Sequence, residues 1–264
     1  MRTIKFWNGN KSQIRGRYEP EIISAVLQAT AADYGAYSLE VDNTDYPVAL
    51  DESDIFINGT DVIVTVAGNE KFANRDKIVV PIALDKGLLG YRALLCCKPN
   101  AAKFSSVTSL TELREHKVGV PSTWVDAELF RHNGLSVVEE GSLDDHFERL
   151  QRDRFDFSSL GMNEVEAILE QFSASECSVV IVPDVMLYCP LILVFYVHPE
   201  QQELAERIKA GLDKIASNGE WSRLYDAYYG DIITGLSLST RRTIHLLCPD
   251  QAPWMKAFQP TVLA

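Results

Sequence analysis

The sequence predicts an α/β protein of two lobes joined by two crossing strands, and three observations predict it. Short apolar runs alternate with amphipathic stretches along the chain, the pattern of a mainly parallel sheet with helices on its faces. The run Asp61–Val66 is apolar almost throughout, as a strand covered on both sides must be. Two such αβ sets follow one another with no Gly/Ser/Pro-rich linker between them.

Thr3–Trp7 reads as the first strand. Pro20–Tyr34 reads as a helix with Pro in its first turn and Ile22, Ile23, Val26 and Leu27 facing inward. Tyr37–Val41 and Asp61–Val66 are the next strands. Ile78–Ile82 and Tyr91–Cys97 follow as extended segments around the Gly-rich turn Gly87–Gly90.

The second set opens with a helix at Ser109–Glu115, where Ser109 and Glu112 have capping-box spacing. The strand Lys117–Val120 leads into a helix after Thr123 that ends at Asn133–Gly134, a C-cap signal. Ser136–Glu139 reads as a strand, Leu143–Arg152 as a helix and Phe155–Phe157 as a short strand. Then come a helix at Gly161–Phe172 and strands at Ser178–Val182 and Leu191–Val197. Gln201–Ser217 is the clearest helix: Leu204, Ile208, Leu212 and Ile215 form one apolar stripe, and Asn218–Gly219 stops it. Glu220–Tyr229 is a shorter helix, and Leu236–Leu247 leads into a Pro-punctuated tail. With crossings at Gly90–Arg92 and Tyr188–Leu193, the lobes are expected as 1–89 plus 193–264 and the inserted 90–192. Strand ends of both would face a shared ligand cleft.

Composition narrows the function. The 264 residues carry 25 basic and 37 acidic side chains, a formal charge of −12. That field repels nucleic acid and anionic membranes, so neither is expected as a partner. No apolar run approaches the ~20 residues of a membrane helix. MRTIKFW lacks the apolar core of a signal peptide, which fits either a cytoplasmic chain or a mature exported one preceded by a start Met. The five cysteines (Cys96, Cys97, Cys177, Cys189 and Cys248) show neither zinc spacing nor a disulfide framework; one pair is possible without being assignable. His116, His132, His146, His198 and His245 are scattered without HExxH or paired spacing, so no metal is expected. No GxSxG, Walker or GxGxxG pattern is present, and no cofactor is expected.

One stretch points to a ligand. In VGVPSTWVD (Val118–Asp126) a strand is broken by Pro121 and delivers a helix N-terminus, where Thr123 and Asp126 have cap spacing. The free N–H groups of such a terminus, with the helix dipole, make an anion site. Trp124 stands where a ligand would sit.

The order of motifs resembles the type II periplasmic solute-binding proteins, above all the bacterial family-3 binding proteins of amino-acid ABC transporters. NGTDVIVTVAGNEKFANRDKIVVPI (Asn58–Ile82) resembles their glycine and aspartate before an apolar strand and a later Arg. SLTEL, KVGV and the following cap resemble their next helix–strand–helix; FERLQRDRFDF (Phe147–Phe157) resembles their helix–strand element. LAERIKAGLDKIASNGEWSRLYDAYYG resembles their closing helices. GLLGYR (Gly87–Arg92), TWVDAELFRHNGL (Thr123–Leu135), RFDF (Arg154–Phe157) and LYCPLILVFYV (Leu187–Val197) are similar to a less characterised branch of transporter substrate-binding domains. The resemblance spans residues 1–247.

It implies the two-lobed periplasmic-binding-protein type II fold, a hinge and a small polar solute. It places the chain, as a monomer, in the periplasm or otherwise outside the cytoplasm, beside an ABC permease or a sensor. Arg75 matches the Arg that forks onto a ligand carboxylate; read alone, it belongs to the charged run Asn74–Lys77. Ser122 and Thr123 match the cap that shares that carboxylate. Trp124 walls the ligand or packs between lobes, and Trp7 is a cleft aromatic or a core one. Thr65, Phe157 and Tyr188 complete the ligand set, and Arg92 lines the cleft or braces the hinge. Gly161 stands where amino-acid binders carry the Asp that accepts the ligand's ammonium group, with Asn163 and Glu164 as substitutes. The competing class is an enzyme on the same scaffold, a cyclohexadienyl-type dehydratase, with Asp126 and Glu164 as its acid and base.

Overall fold

The computed structural model describes residues 2–46, 49–122, 124, 126–172, 179–248 and 252–263. Its strands are β1 (Arg2–Trp7), β2 (Tyr37–Asp42), β3 (Val62–Val66), β4 (Ile78–Val80), β5 (Tyr91–Cys97), β6 (Lys117–Val120), β7 (Ser136–Glu139), β8 (Phe157–Gly161), β9 (Val179–Tyr188), β10 (Leu193–Val197) and β11 (Arg242–His245). They sort into two sheets, and the chain divides into two units, Met1–Lys86 with Leu191–Asp231 and Gly87–Pro190 with Ile232–Ala264.

The first unit holds a mixed five-stranded sheet in the order β2-β1-β3-β10-β4. β1 runs parallel to β2 and β3, while β10 runs antiparallel to β3 and β4. Every residue of β10 and the first four of β3 are buried, which is why these runs are apolar without alternation. On this sheet the helix Gln13–Ala29, through Ile22, Ile23, Val26 and Leu27, accompanies the helix Gln202–Ser217 with its stripe Leu204, Ile208, Leu212 and Ile215. A Cβ on Gly211 would lie 2.5 Å from the Val26 carbonyl, so this glycine sets how closely the two helices approach. Buried Arg207 caps the first of them, donating to the Leu27 carbonyl at 2.9 Å and to Thr30 Oγ1 at 3.0 Å.

The first helix corrects the expectation that Pro20 opens it. It starts at Gln13, with Pro20 inside. Proline cannot donate to the carbonyl four residues back. That carbonyl, on Gly16, accepts instead from Asn8 Nδ2 at 2.8 Å, so a side chain restores the missing bond.

The second unit holds a six-stranded sheet in the order β11-β9-β5-β8-β6-β7. β5 is central, antiparallel to β8 and β9 and buried almost throughout. β8 begins two residues later than expected and includes Gly161, so the following helix starts at Val165. Ser158 and Ser159 disguise the strand, although both are buried. Ser158 Oγ shares a 2.6 Å hydrogen bond with His146 Nε2, which satisfies it inside the core. Phe155, expected in the strand, lies over Gly119, where a Cβ would meet its ring at 2.3 Å, and stacks on His146.

The tail also departs from expectation. β11 pairs parallel with β9, Arg242 opposite Val185 through His245 opposite Tyr188, so Ile232–Ala264 joins the second unit rather than the first. The chain therefore passes between units a third time, inside the helix Glu220–Gly235. Asn133, fully buried, holds the tail: its side chain donates to the Leu247 carbonyl and accepts from the Leu247 N–H, both at 2.7 Å. Cys189 and Cys248 form a disulfide across 59 residues, the pair the spacing left unassigned. Cys96 and Cys97 lie outside this disulfide, Cys97 Sγ donating to the Leu150 carbonyl at 3.6 Å, and Cys177 lies outside the described residues. No helix among the described residues is long and apolar enough to cross a membrane.

Candidate functional site

Each unit carries its own polar constellation. In the first, Trp7 ends β1, 2% exposed, and its Nε1 donates to the Thr44 carbonyl at 2.9 Å. Lys11 lies over its ring, 5.6 Å from the centroid, donates to the Val64 carbonyl of β3 and pairs with Glu19 at 3.2 Å. Burial brings the Lys11 ammonium down to about 8, against the pull of Glu19. Glu19 is itself fully buried and held at 2.7 Å by Arg15. Thr65, on β3, accepts from Asn69 Nδ2 at 2.8 Å. Nothing in the NGNKS stretch marks Lys11 as buried, and sequence reasoning missed it and Glu19. The signal available was a Lys placed between a strand-end Trp and a helix carrying a Glu on its inward face.

Arg75 is not an idle surface charge. Its Nη2 pairs with Asp54, each side chain about one-third exposed (33% and 32%), and its Nε is buried with no hydrogen-bond partner among the described residues. One edge of the guanidinium is thus oriented by a carboxylate, and Nε remains for another acceptor.

In the second unit the expected cap is modified. The Ser122 N–H donates to the Gly141 carbonyl at 2.9 Å, so it is already engaged, and its side chain is exposed. Thr123 lies outside the described residues. Trp124 is half-buried and its N–H reaches the Pro121 carbonyl at 3.3 Å. The helix that follows, Asp126–His132, has Asp126 and Glu128 in its first turn, so negative charge already sits on its positive end.

Asp126 also forms a 2.5 Å ion pair with Arg92, which is 4% exposed. That removes Arg92 from the role of a simple hinge brace: it fastens β5 to the turn carrying Trp124. Arg92 sits opposite Gly161 in the β5–β8 register, and Leu94 sits opposite Ser159. Opposed residues of an antiparallel pair point to one face, so Arg92, Ser159 and Gly161 share a face. A Cβ on Gly161 would lie 2.4 Å from Asn163 Oδ1 and 3.3 Å from Glu164 Oε1. The Asn163 carboxamide therefore occupies the space a side chain at 161 would need. Arg92 Nε, Ser159 Oγ and Asn163 Oδ1 are buried without a hydrogen-bond partner among the described residues.

Two candidates fall elsewhere. Phe157 is fully buried, 5.5 Å from Phe104 between ring centroids, a core position that corrects its ligand role. Tyr188 opposes Tyr91, the neighbour of Arg92 along β5, and so lies on the other face of the sheet from Arg92. It packs on Tyr91 at 4.7 Å and on His245 at 5.6 Å.

No protein-family model matches the chain, and no curated protein sequence matches it. Solved structures do. A probable amino-acid ABC transporter extracellular-binding protein from Bacillus subtilis aligns at a TM-score of 0.63 and 14% identity, over 88% of this chain and 99% of that one. An ancestral arginine-binding protein bound to arginine aligns at 0.57 and 18%, over 87% and 99%. A histidine kinase sensor domain similar to periplasmic binding proteins aligns at 0.58 and 17%, over 87% and 96%. The fold is that of the type II periplasmic binding proteins. These similar structures are binding proteins and a sensor domain.

Proposed function

We propose that the chain binds a small polar, carboxylate-bearing solute, for delivery to an ABC-type permease or for report to a sensor, and performs no chemistry on it. The observation that carries this reading is a type II binding-protein fold running the whole length of relatives that bind amino acids. Arg75 supports the carboxylate: Asp54 holds Nη2, and buried Nε is left to donate. Trp7 and Thr65 belong to the same unit as Arg75. The Cys189–Cys248 disulfide supports a place outside the cytoplasm, because such bonds persist in oxidising compartments. Against the dehydratase alternative, the candidate acid Asp126 is engaged in an ion pair with buried Arg92.

A thermal-shift screen over amino acids, organic acids and polyamines tests the reading, since a solute that binds only the folded state raises the melting temperature by mass action. Melting raised by carboxylate-bearing members supports it. A screen in which polyamines alone act, or nothing acts, rejects it.

A further inference from the structure

The second unit's sheet carries a set of polar atoms that the fold buries and leaves unmet. Arg92 Nε is a donor, Asn163 Oδ1 is an acceptor and Ser159 Oγ serves as either; their residues are 4%, 3% and 5% exposed. Burying three such atoms unpaired costs each its hydration with no bond in return. All three stand on one face: Arg92 opposes Gly161, Ser159 precedes Gly161 by one strand repeat, and the Asn163 oxygen covers the Gly161 α-carbon. Arg92 Nη2 stands 2.5 Å from Asp126 Oδ1 as an ion pair and 3.4 Å from the Ser159 carbonyl, and Asp126 Oδ1 is itself buried without a hydrogen-bond partner among the described residues, a further acceptor beside the set. Glu164 stands at the rim, half-buried, its carboxylate 3.3 Å from the same Gly161 position.

We infer that this face is a subsite for an uncharged amide group of the solute: a carboxamide or a peptide unit. An amide presents one carbonyl acceptor and N–H donors in a plane, the complement of one orphan donor beside orphan acceptors. Arg92 Nε–H donates to the amide oxygen, Asn163 Oδ1 accepts an N–H, and Ser159 Oγ takes the remaining bond. A carboxylate has no donor for Asn163 Oδ1 and would meet Glu164 and Asp126. An ammonium has no acceptor for Arg92 and would leave that N–H unmet. Sites built around directed hydrogen bonds reject analogues that leave them unpaired far more strongly than apolar pockets do.

The inference rests on the solute-binding reading, and the experiment separates the two. Matched probes (glutamine with glutamate, asparagine with aspartate, glycylglycine with ornithine) are titrated calorimetrically into the full chain and into Asn163→Leu and Asn163→Asp. The expected result is that the tightest amide probe binds wild type at least tenfold more tightly than its charged counterpart. Asn163→Leu then loses that preference, and Asn163→Asp moves it toward ornithine. Circular dichroism and melting of each variant check folding, and Ser159→Ala provides a second variant with a smaller volume change. Glutamate, aspartate or ornithine binding wild type as tightly as the amides overturns the amide subsite while leaving solute binding standing. No binding by any probe, where the broad screen has found another solute, also overturns it.

Discussion

At Arg92 and Asp126, two charges are kept almost wholly out of water and each is the other's main partner. Such a pair adds little net stability, but removing one member strands the other. Asp126→Ala should therefore cost about 3–5 kcal/mol in urea denaturation, and a loss below about 1 kcal/mol would mean that Arg92 finds water instead. His146 makes a second residue-scale case. It is fully buried against Phe155 and Ser158, and burial brings its imidazole down from 6.5 to about 4. The folded value lies below the unfolded one, so between these limits the unfolded chain holds more protons. The contribution is complete above pH 6.5 and declines as pH drops toward 4, by about 3 kcal/mol over the window. Denaturation measured at pH 7 and at pH 4.5 should show wild type losing more than His146→Leu; equal losses would place the titration elsewhere. Neither case was legible in the sequence. Arg92 read as hinge or cleft and His146 as one of five scattered histidines, because burial of a polar side chain depends on partners distant along the chain.

Elements were more legible than side-chain partners, and the errors share a cause. β3, β5, β6, β7 and the helix Gln202–Ser217 lie where periodicity put them, because continuous apolar runs and a clean stripe need no long-range help. The helix start at Gln13 was missed because Pro20 reads as a boundary unless something satisfies the Gly16 carbonyl, and that something is Asn8, on the far side of the NGNKS turn. Asn8→Ala should destabilise the fold by about 1–3 kcal/mol, the cost of a buried acceptor left unmet. An unchanged denaturation midpoint would show that water replaces the amide. β8 was placed two residues early and β11 was not read as a strand, for the related reason that serines and arginines fill their runs. Ser158 is paid for by His146, and β11 by its pairing with β9, neither of which local pattern reveals. In the candidate site, Trp7, Thr65 and Arg75 were nominated through a family resemblance, whereas Lys11, Glu19 and Asp54 became visible only in the folded chain.

At the scale of the molecule, two sheets give two units, with one disulfide and a buried amide fixing the tail to the second. Closing a loop of this length removes about 4 kcal/mol of unfolded-chain entropy in the chain-entropy model. Cys248→Ser, or wild type held in reductant, should melt several degrees lower; an unchanged melting temperature would show that Asn133 and β11 hold the tail without the bond. The net charge of −12 sets the boundary condition for function: an anionic solute meets a repelling field until a local cation takes over. Arg75, oriented by Asp54, is the cation proposed for that role. The decisive measurement is a calorimetric titration of the solute found by the screen into wild type, Arg75→Ala and Arg75→Lys. Arg75→Ala should weaken binding by about 2–5 kcal/mol, and Arg75→Lys should recover part of it, because an ammonium lacks the planar fork. Wild-type affinity in a folded Arg75→Ala protein would contradict the carboxylate anchor and return Arg75 to a surface ion pair.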